Sequence, residues 1–372
     1  MSTVPEARVS TVPEARVSTV PEARVSTVPE ARVSSAPAFV STRVTTPRLT
    51  QHVVTVEGRT GAPVLFVHGN VSSSAFWRAS MAALPDGLRP LAVDLRGFGG
   101  TDPEPIDATR GLRDFSDDLL ELVDALELPA VHLVGWSLGG GIVLQMLRDR
   151  PAAVRSVTLV NPISPYGFGG TEGPDGRLTH PDGAGSGAGA VNPEFVARLK
   201  GGDLSDEDPA SPRSVFRAAY VASPVEDEDR YVAAMLTTRV GDDHYPGDAA
   251  TSPAWPGVAP GLRGVLNAAA PTRFRLDDLH EITPKPPVLW IRGADDVIVS
   301  DTSLFDLAHL GAIGVVPGSP GTPAQPMIAQ TRAVLGRYGP YREAVLDKCG
   351  HSPHLERPDD FRRLLARHLL EA

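Results

Sequence analysis

One serine stands where a nucleophile has to stand. Ser137 is the centre of Gly135-Trp136-Ser137-Leu138-Gly139-Gly140-Gly141, directly after the apolar run Val131-His132-Leu133-Val134 and directly before a helical pattern. A Gly-x-Ser-x-Gly at a strand-to-helix turn lifts a hydroxyl out of a strained bend, and its small neighbours let strand and helix approach. The first amides of the helix are then free to meet negative charge. Near neutral pH a hydroxyl is a weak nucleophile, so it needs a base, and the base needs an orienting carboxylate. Two histidines compete for the first role in Lys348-Cys349-Gly350-His351-Ser352-Pro353-His354. His351 is preferred, because Gly350 frees the backbone before it and Pro353 fixes the backbone after it. Asp295 and Asp296 compete for the second role in Arg292-Gly293-Ala294-Asp295-Asp296. Asp296, directly before Val297-Ile298-Val299, is preferred, with Asp295 as a turn or capping residue. An oxyanion needs two amide donors. Asn70, after Val67-His68-Gly69, and Leu138 are the candidates, while His68 is read as a residue that holds its loop.

These residues need a scaffold that gathers them at one edge. Short apolar runs at Pro63–Val67, Leu91–Leu95, Val131–Val134, Val154–Val160 and Pro287–Ile291 read as strands, most of them buried on both faces. Leu49–Val56 and Glu343–Leu346 add a first and a last strand. Phe115, Leu119, Leu122, Val123 and Leu126 recur at helical spacing, with Asp117, Asp118, Glu121 and Asp124 on the other face. Further helices are expected at Leu138–Arg148, Leu304–His309 and Asp359–Leu370. Alternating strands and helices predict an α/β fold with a parallel sheet covered on both faces. The alternation breaks between Asn161 and Lys285, where a Gly-rich stretch precedes helix-like pieces at Phe195–Leu199, Val215–Val221 and Tyr231–Leu236. An insertion of that size reads as a cap over a site. Its acidic runs, Asp203–Asp208 and Glu226–Asp229, read as solvated faces. The expected layout is therefore a repetitive tail over 1–45, a core over 46–161 and 285–372, and a mainly helical cap over 162–284.

In these motifs the chain resembles the α/β-hydrolase superfamily over roughly Leu49 to Leu370. The matching pieces are His68-Gly69-Asn70, Asp94-Leu95-Arg96-Gly97-Phe98-Gly99, Gly135-Trp136-Ser137-Leu138-Gly139-Gly140, Gly293-Ala294-Asp295-Asp296, and Gly350-His351 with Glu356, Pro358 and Phe361. The resemblance implies a mostly parallel eight-stranded sheet with a mobile cap. It also implies a triad of Ser137, Asp296 and His351, with oxyanion amides at Asn70 and Leu138. Asp94 to Gly99 looks like the family's structural turn. Haloalkane dehalogenases and epoxide hydrolases are similar at His68-Gly69-Asn70 and Trp77, but they need a carboxylate where this chain has Ser137. The long Gly-rich cap and the Pro/Gly-rich stretch from Gly311 to Pro326 depart from the common pattern.

Composition narrows the rest. The net charge of −10 favours neither nucleic acid nor anionic membranes as partners, and a single cysteine, Cys349, excludes an internal disulfide. No apolar run is long enough to cross a bilayer, and the start lacks a signal-peptide pattern, so a cytoplasmic enzyme is expected. Ser-Thr-Val-Pro-Glu-Ala-Arg-Val occurs four times from Ser2 to Val33, and its recurring proline opposes helix. That tail reads as solvated and extended, with an interaction arm as the alternative. The expected activity is hydrolysis of a small to medium carboxylic ester or lactone, without metal or organic cofactor. Trp136, Phe76, Trp77 and Tyr166 are candidate pocket walls. The alternatives are carbon–carbon bond hydrolysis, thioester hydrolysis, peroxyacid formation, release of an N-terminal residue from a peptide, or a non-catalytic receptor.

Overall fold

The apolar runs become the middle of one sheet. The computed structural model describes residues 37–372, and the four repeats from Ser2 to Val33 lie outside the described residues. Eight strands form the sheet: β1 (Phe39–Thr45), β2 (Thr50–Val56), β3 (Ala62–Val67), β4 (Leu88–Val93), β5 (Val131–Trp136), β6 (Val154–Val160), β7 (Val288–Gly293) and β8 (Tyr341–Leu346). Their spatial order is β1-β2-β4-β3-β5-β6-β7-β8. β1 and β2 form an antiparallel hairpin, β2 is antiparallel to β4, and every pairing from β4 to β8 is parallel. Central strands β3 and β5 are buried almost throughout, which accounts for their continuous rather than alternating hydrophobicity. Four helices pack with this sheet: α1 (Arg113–Ala125), α2 (Leu138–Asp149), α3 (Met327–Tyr338) and α4 (Pro358–Glu371).

Several expectations need correction. Residues 39–45 are not tail, because β1 pairs with β2 along all seven of its residues. β1 lies at the sheet edge and is largely exposed, so it carries no apolar run to announce it. The interval 162–284 holds only short helices, the longest being Pro193–Gly201 and Glu228–Met235. Small ribbons such as Thr171–Glu172 with Arg177–Leu178 and Ala249–Thr251 with Val258–Pro260 share it with irregular chain. Its glycines and prolines interrupt longer elements. α3 is a helix the sequence does not announce, because the Pro/Gly-rich stretch before it obscures its start. Among the described residues, no helix is long and apolar enough to cross a membrane.

Asp118 is a further correction. Its spacing puts it on the solvent face of α1, yet it is buried. Its carboxylate accepts from Arg96 Nε at 2.6 Å and Arg96 Nη2 at 2.7 Å, and from Arg48 Nε at 2.6 Å. The bidentate pair fastens the turn after β4 to α1, which is how Arg96 comes to be buried in that turn. Removing Asp118 leaves buried Arg96 with only the more distant Asp114 carboxylate, 3.7 Å away, to meet its charge. Asp118→Ala is therefore expected to lower the unfolding free energy by about 3 to 5 kcal/mol. Urea unfolding checks this, and a loss no larger than that of an exposed pair would contradict it.

Candidate active site

β5 delivers Ser137 at its carboxyl end, and α2 starts at the next residue. Ser137 has φ 56° and ψ −119°, a left-handed conformation for a residue with a side chain. Three backbone bonds hold it there. Its amide donates to Val160 O at 2.9 Å, and its carbonyl accepts from Gly140 N at 2.9 Å and Ile163 N at 3.0 Å. The turn is thus gripped from both sides of the β6 terminus. Gly139 meets the loop after β3 so closely that a Cβ there would lie 2.5 Å from the carbonyl oxygens of Val67 and His68. A methyl on Gly69 would lie 3.0 Å from Ser137 Cβ, so that loop runs directly beside the serine. Leu138 is the first residue of α2, and its amide therefore has no acceptor within the helix. Asn70 follows Gly69 on the loop after β3, and its carbonyl accepts from the Tyr220 hydroxyl at 3.0 Å.

His68 secures the loop rather than entering the chemistry. Leu95 N donates to its Nε2 at 3.0 Å, so Nδ1 carries the proton and donates to Gly69 O at 2.7 Å. Burial lowers its pKa, partly countered by Asp94, and keeps it neutral. Asp94 is itself buried and accepts from Ser74 N at 2.7 Å and Gly100 N at 2.8 Å, with His52 Nδ1 at 2.7 Å from its Oδ2.

The loops after β7 and β8 bring Asp296 and His351 together. His351 Nδ1 lies 2.8 Å from Asp296 Oδ2, and both side chains are 2% exposed. Oδ1 of the same carboxylate accepts from Ile298 N at 2.8 Å and Val299 N at 3.0 Å. Facing a carboxylate, Nδ1 carries the proton, which leaves Nε2 as the basic nitrogen. Asp295 is exposed and uses its amide on Cys349 O at 2.9 Å, as a turn residue would. His354 takes a different place. It sits between Trp77 and Trp136, with ring centroids 4.4 Å and 4.9 Å away, and neither of its nitrogens has a hydrogen-bond partner. Burial, helped by His351, pushes its pKa down to about 3.

Two positioning roles are invisible in the sequence. Asn161, at the end of β6 with φ 39°, donates through Nδ2 to Gly350 O at 3.0 Å and His351 O at 2.9 Å. Its Oδ1 accepts from Gly293 N at 3.1 Å, so one side chain joins the loops that carry Asp296 and His351. Trp136 donates its indole N–H to the same His351 carbonyl at 2.8 Å. The residue before Ser137 is thereby bonded to the main chain of His351. An amide after a strand and an aromatic before a serine carry no distinctive local pattern.

The four candidate wall residues divide. Phe76 and Trp136 stack at 5.1 Å and meet Tyr220, Phe216 and Tyr231 from the insertion, with Phe76 to Tyr231 at 4.8 Å. All five are nearly or fully buried, so they form an aromatic seam beside the site rather than an open wall. Tyr220 also donates its hydroxyl to Asn70 O at 3.0 Å. Trp77 packs on Phe66 and His354 within the core. Tyr166 is bound elsewhere, accepting from Arg337 at 2.8 Å beneath the Arg275 guanidinium. Among the described residues, no group of acidic, histidine and cysteine side chains could hold a metal ion.

Comparisons with known proteins agree with this architecture. A family model for the alpha/beta hydrolase fold matches residues 62–358. A provisionally named carbamate hydrolase, RutD, from Variovorax paradoxus (strain S110) is 41% identical over 102 residues, 27% of this chain and 38% of that protein. The chain thus covers less than half the length of that relative. 2-(Acetamidomethylene)succinate hydrolase from Mesorhizobium japonicum is 28% identical over 290 residues, 76% of this chain and 88% of that one. The crystal structure of carboxylesterase CesB (YbfK) from Bacillus subtilis superposes with a TM-score of 0.58 at 16% identity, over 90% of this chain and 93% of that chain. At that identity the likeness is one of fold.

The two histidines make a testable contrast. An imidazole whose folded pKa is depressed stays neutral while the unfolded chain takes up a proton, so stability falls as pH drops from about 6.5 toward about 3 for His354. The slope is about 1.4 kcal/mol per pH unit for one such group. His354→Phe keeps a ring in the aromatic box and removes the titration. It should flatten the loss of stability between pH 6.5 and 5, read by urea unfolding, and leave the reactivity of Ser137 intact. Loss of that reactivity would assign His354 a chemical role.

Proposed function

The chain belongs to the α/β-hydrolase fold family, and we propose that within it the protein is a serine hydrolase cleaving an uncharged carboxylic ester or lactone. Ser137 Oγ attacks the carbonyl carbon and passes its proton to His351 Nε2. Asp296 Oδ2 holds the proton on Nδ1 and stabilises the imidazolium that forms. The tetrahedral oxyanion rests on the amides of Asn70 and Leu138. His351 then returns the proton to the leaving alkoxide, the carbon–oxygen bond breaks, and an acyl-enzyme remains on Ser137. Water, giving its proton to Nε2, attacks the acyl carbon, and the acid leaves as Ser137 regains its hydrogen.

The observation that carries this reading is the buried His351–Asp296 contact of 2.8 Å, fastened through Trp136 to the strained turn of Ser137. A binding protein has no use for a carboxylate locked onto an imidazole beside such a turn. The insertion's rings that pack on Phe76 and Trp136, those of Phe216, Tyr220 and Tyr231, carry no charge at neutral pH, which supports an uncharged substrate. The extended likeness to 2-(acetamidomethylene)succinate hydrolase favours a second reading, hydrolysis of an amide-like bond by the same residues.

A fluorophosphonate probe should label the protein at Ser137, with label lost in Ser137→Ala. A panel of esters, lactones, thioesters and amides should give turnover that falls by roughly 10⁴-fold or more in that variant, with the circular dichroism unchanged. Wild-type protein that stays unlabelled, or a variant that keeps its turnover, would dismiss the mechanism.

A further inference from the structure

Glu356 lies five residues past His351, and its carboxylate is used by backbone amides alone. Its two oxygens accept from Gly350 N at 3.0 and 2.9 Å and from Ser352 N at 3.1 Å, the residues on either side of His351. The same group accepts from Ala222 N at 2.7 Å. Ala222 belongs to the insertion, two residues past Tyr220, whose hydroxyl holds the loop of Asn70. One carboxylate therefore ties the segment carrying the candidate base to the insertion that packs on Phe76 and Trp136. The contact is also steric. A Cβ on Gly350 would lie 2.8 Å from Ala222 N and 3.2 Å from its Cβ, so the two backbones touch.

We infer that Glu356 is a positioning residue that makes the alignment of His351 depend on docking of the insertion at Ala222. A carboxylate bonded to three amides holds their segments in one geometry, and charge-assisted bonds are the stronger kind. With Ala222 in place, the carboxylate is oriented for the amides flanking His351, and Asn161 and Trp136 hold the carbonyl side of the same loop. Withdrawal of the insertion removes one of the bonds that fix the carboxylate and frees the loop to shift. A displacement of about 1 Å at the base is enough to cost on the order of 100-fold in rate. The inference rests on the reading of His351 as the base.

The test uses the full chain and three readouts: the rate of fluorophosphonate labelling at Ser137, kcat and KM on an ester the wild type cleaves, and hydrogen exchange around Ala222. Glu356→Gln removes one acceptor oxygen and the charge. Gly350→Ala leaves the carboxylate intact but wedges the two segments apart. Both should lower labelling and kcat by about 10-fold to 100-fold with KM little changed, and both should raise exchange at Ala222. Ala222→Pro removes the donor, places a ring carbon against the carboxylate, and should lower labelling and kcat to the same degree. Val221, with ψ 141°, is already in the conformation that precedes proline, so this variant remains informative if another fails to fold. Wild-type labelling and kcat in folded variants, whatever the melting temperature, would overturn the inference. So would a fall in rate with exchange around Ala222 unmoved in Glu356→Gln, because Glu356 would then serve its own loop only. An unlabelled wild type would instead remove the reading of Ser137 itself.

Discussion

The site depends on holding one residue against its backbone preference. A side chain at φ 56° costs on the order of 1 to 3 kcal/mol, and the conformation persists only where its surroundings over-determine it. Here Val160, Gly140 and Ile163 bond the peptide groups on both sides of Ser137. The close approach at Gly139 keeps α2 against the loop after β3, and His68 ties that loop to Leu95 at the end of β4. Four strands therefore fix one turn. The strain is local, and the central strands that bear it, β3 and β5, are buried almost throughout.

The same logic explains why the support of His351 is mostly main-chain. An imidazole held only through its ring could pivot about its own Cα. Here the ring has Asp296, the carbonyl has Asn161 and Trp136, and the flanking amides have Glu356. Asp296 is fixed likewise, since its second oxygen is occupied by the amides of Ile298 and Val299. Asn161 binds the two loops to each other, so a displacement of one is resisted by the other. Trp136, Asn161, Asp296 and His351 all sit at or past the carboxyl ends of parallel strands, where loops from separate strands meet.

Much of this is legible in the sequence, for reasons specific to the residues. Buried parallel strands such as β3 and β5 are continuously apolar, and a strand ending in Gly-x-Ser-x-Gly has few other uses. The remainder depends on long-range partners or lacks a local signal. β1 is an exposed edge strand recognisable only from its pairing with β2. Asp118 fits the polar side of α1 by spacing and becomes buried because Arg96 and Arg48 neutralise it. Asn161 and Trp136 act through amide and indole groups whose partners lie about 190 and 215 residues away. Trp77 and Tyr166 read as walls, yet Trp77 packs on Phe66 and His354 and Tyr166 lies beneath Arg275, because an aromatic near a motif looks the same in core and in pocket.

His351 and His354 show why residue type alone does not separate two candidate bases. They lie three positions apart, are equally buried and are bracketed by the same Trp136 ring. His351 faces a carboxylate, so a positive charge on its ring would be met at 2.8 Å by an opposite one. His354 faces only aromatic rings, and burial pushes its pKa down to about 3, so it cannot hold a proton at neutral pH. An imidazole in an apolar box is a space-filling ring with two idle nitrogens. What separates the two is a single carboxylate, delivered from the loop after β7, which the sheet order places beside the loop that carries both histidines.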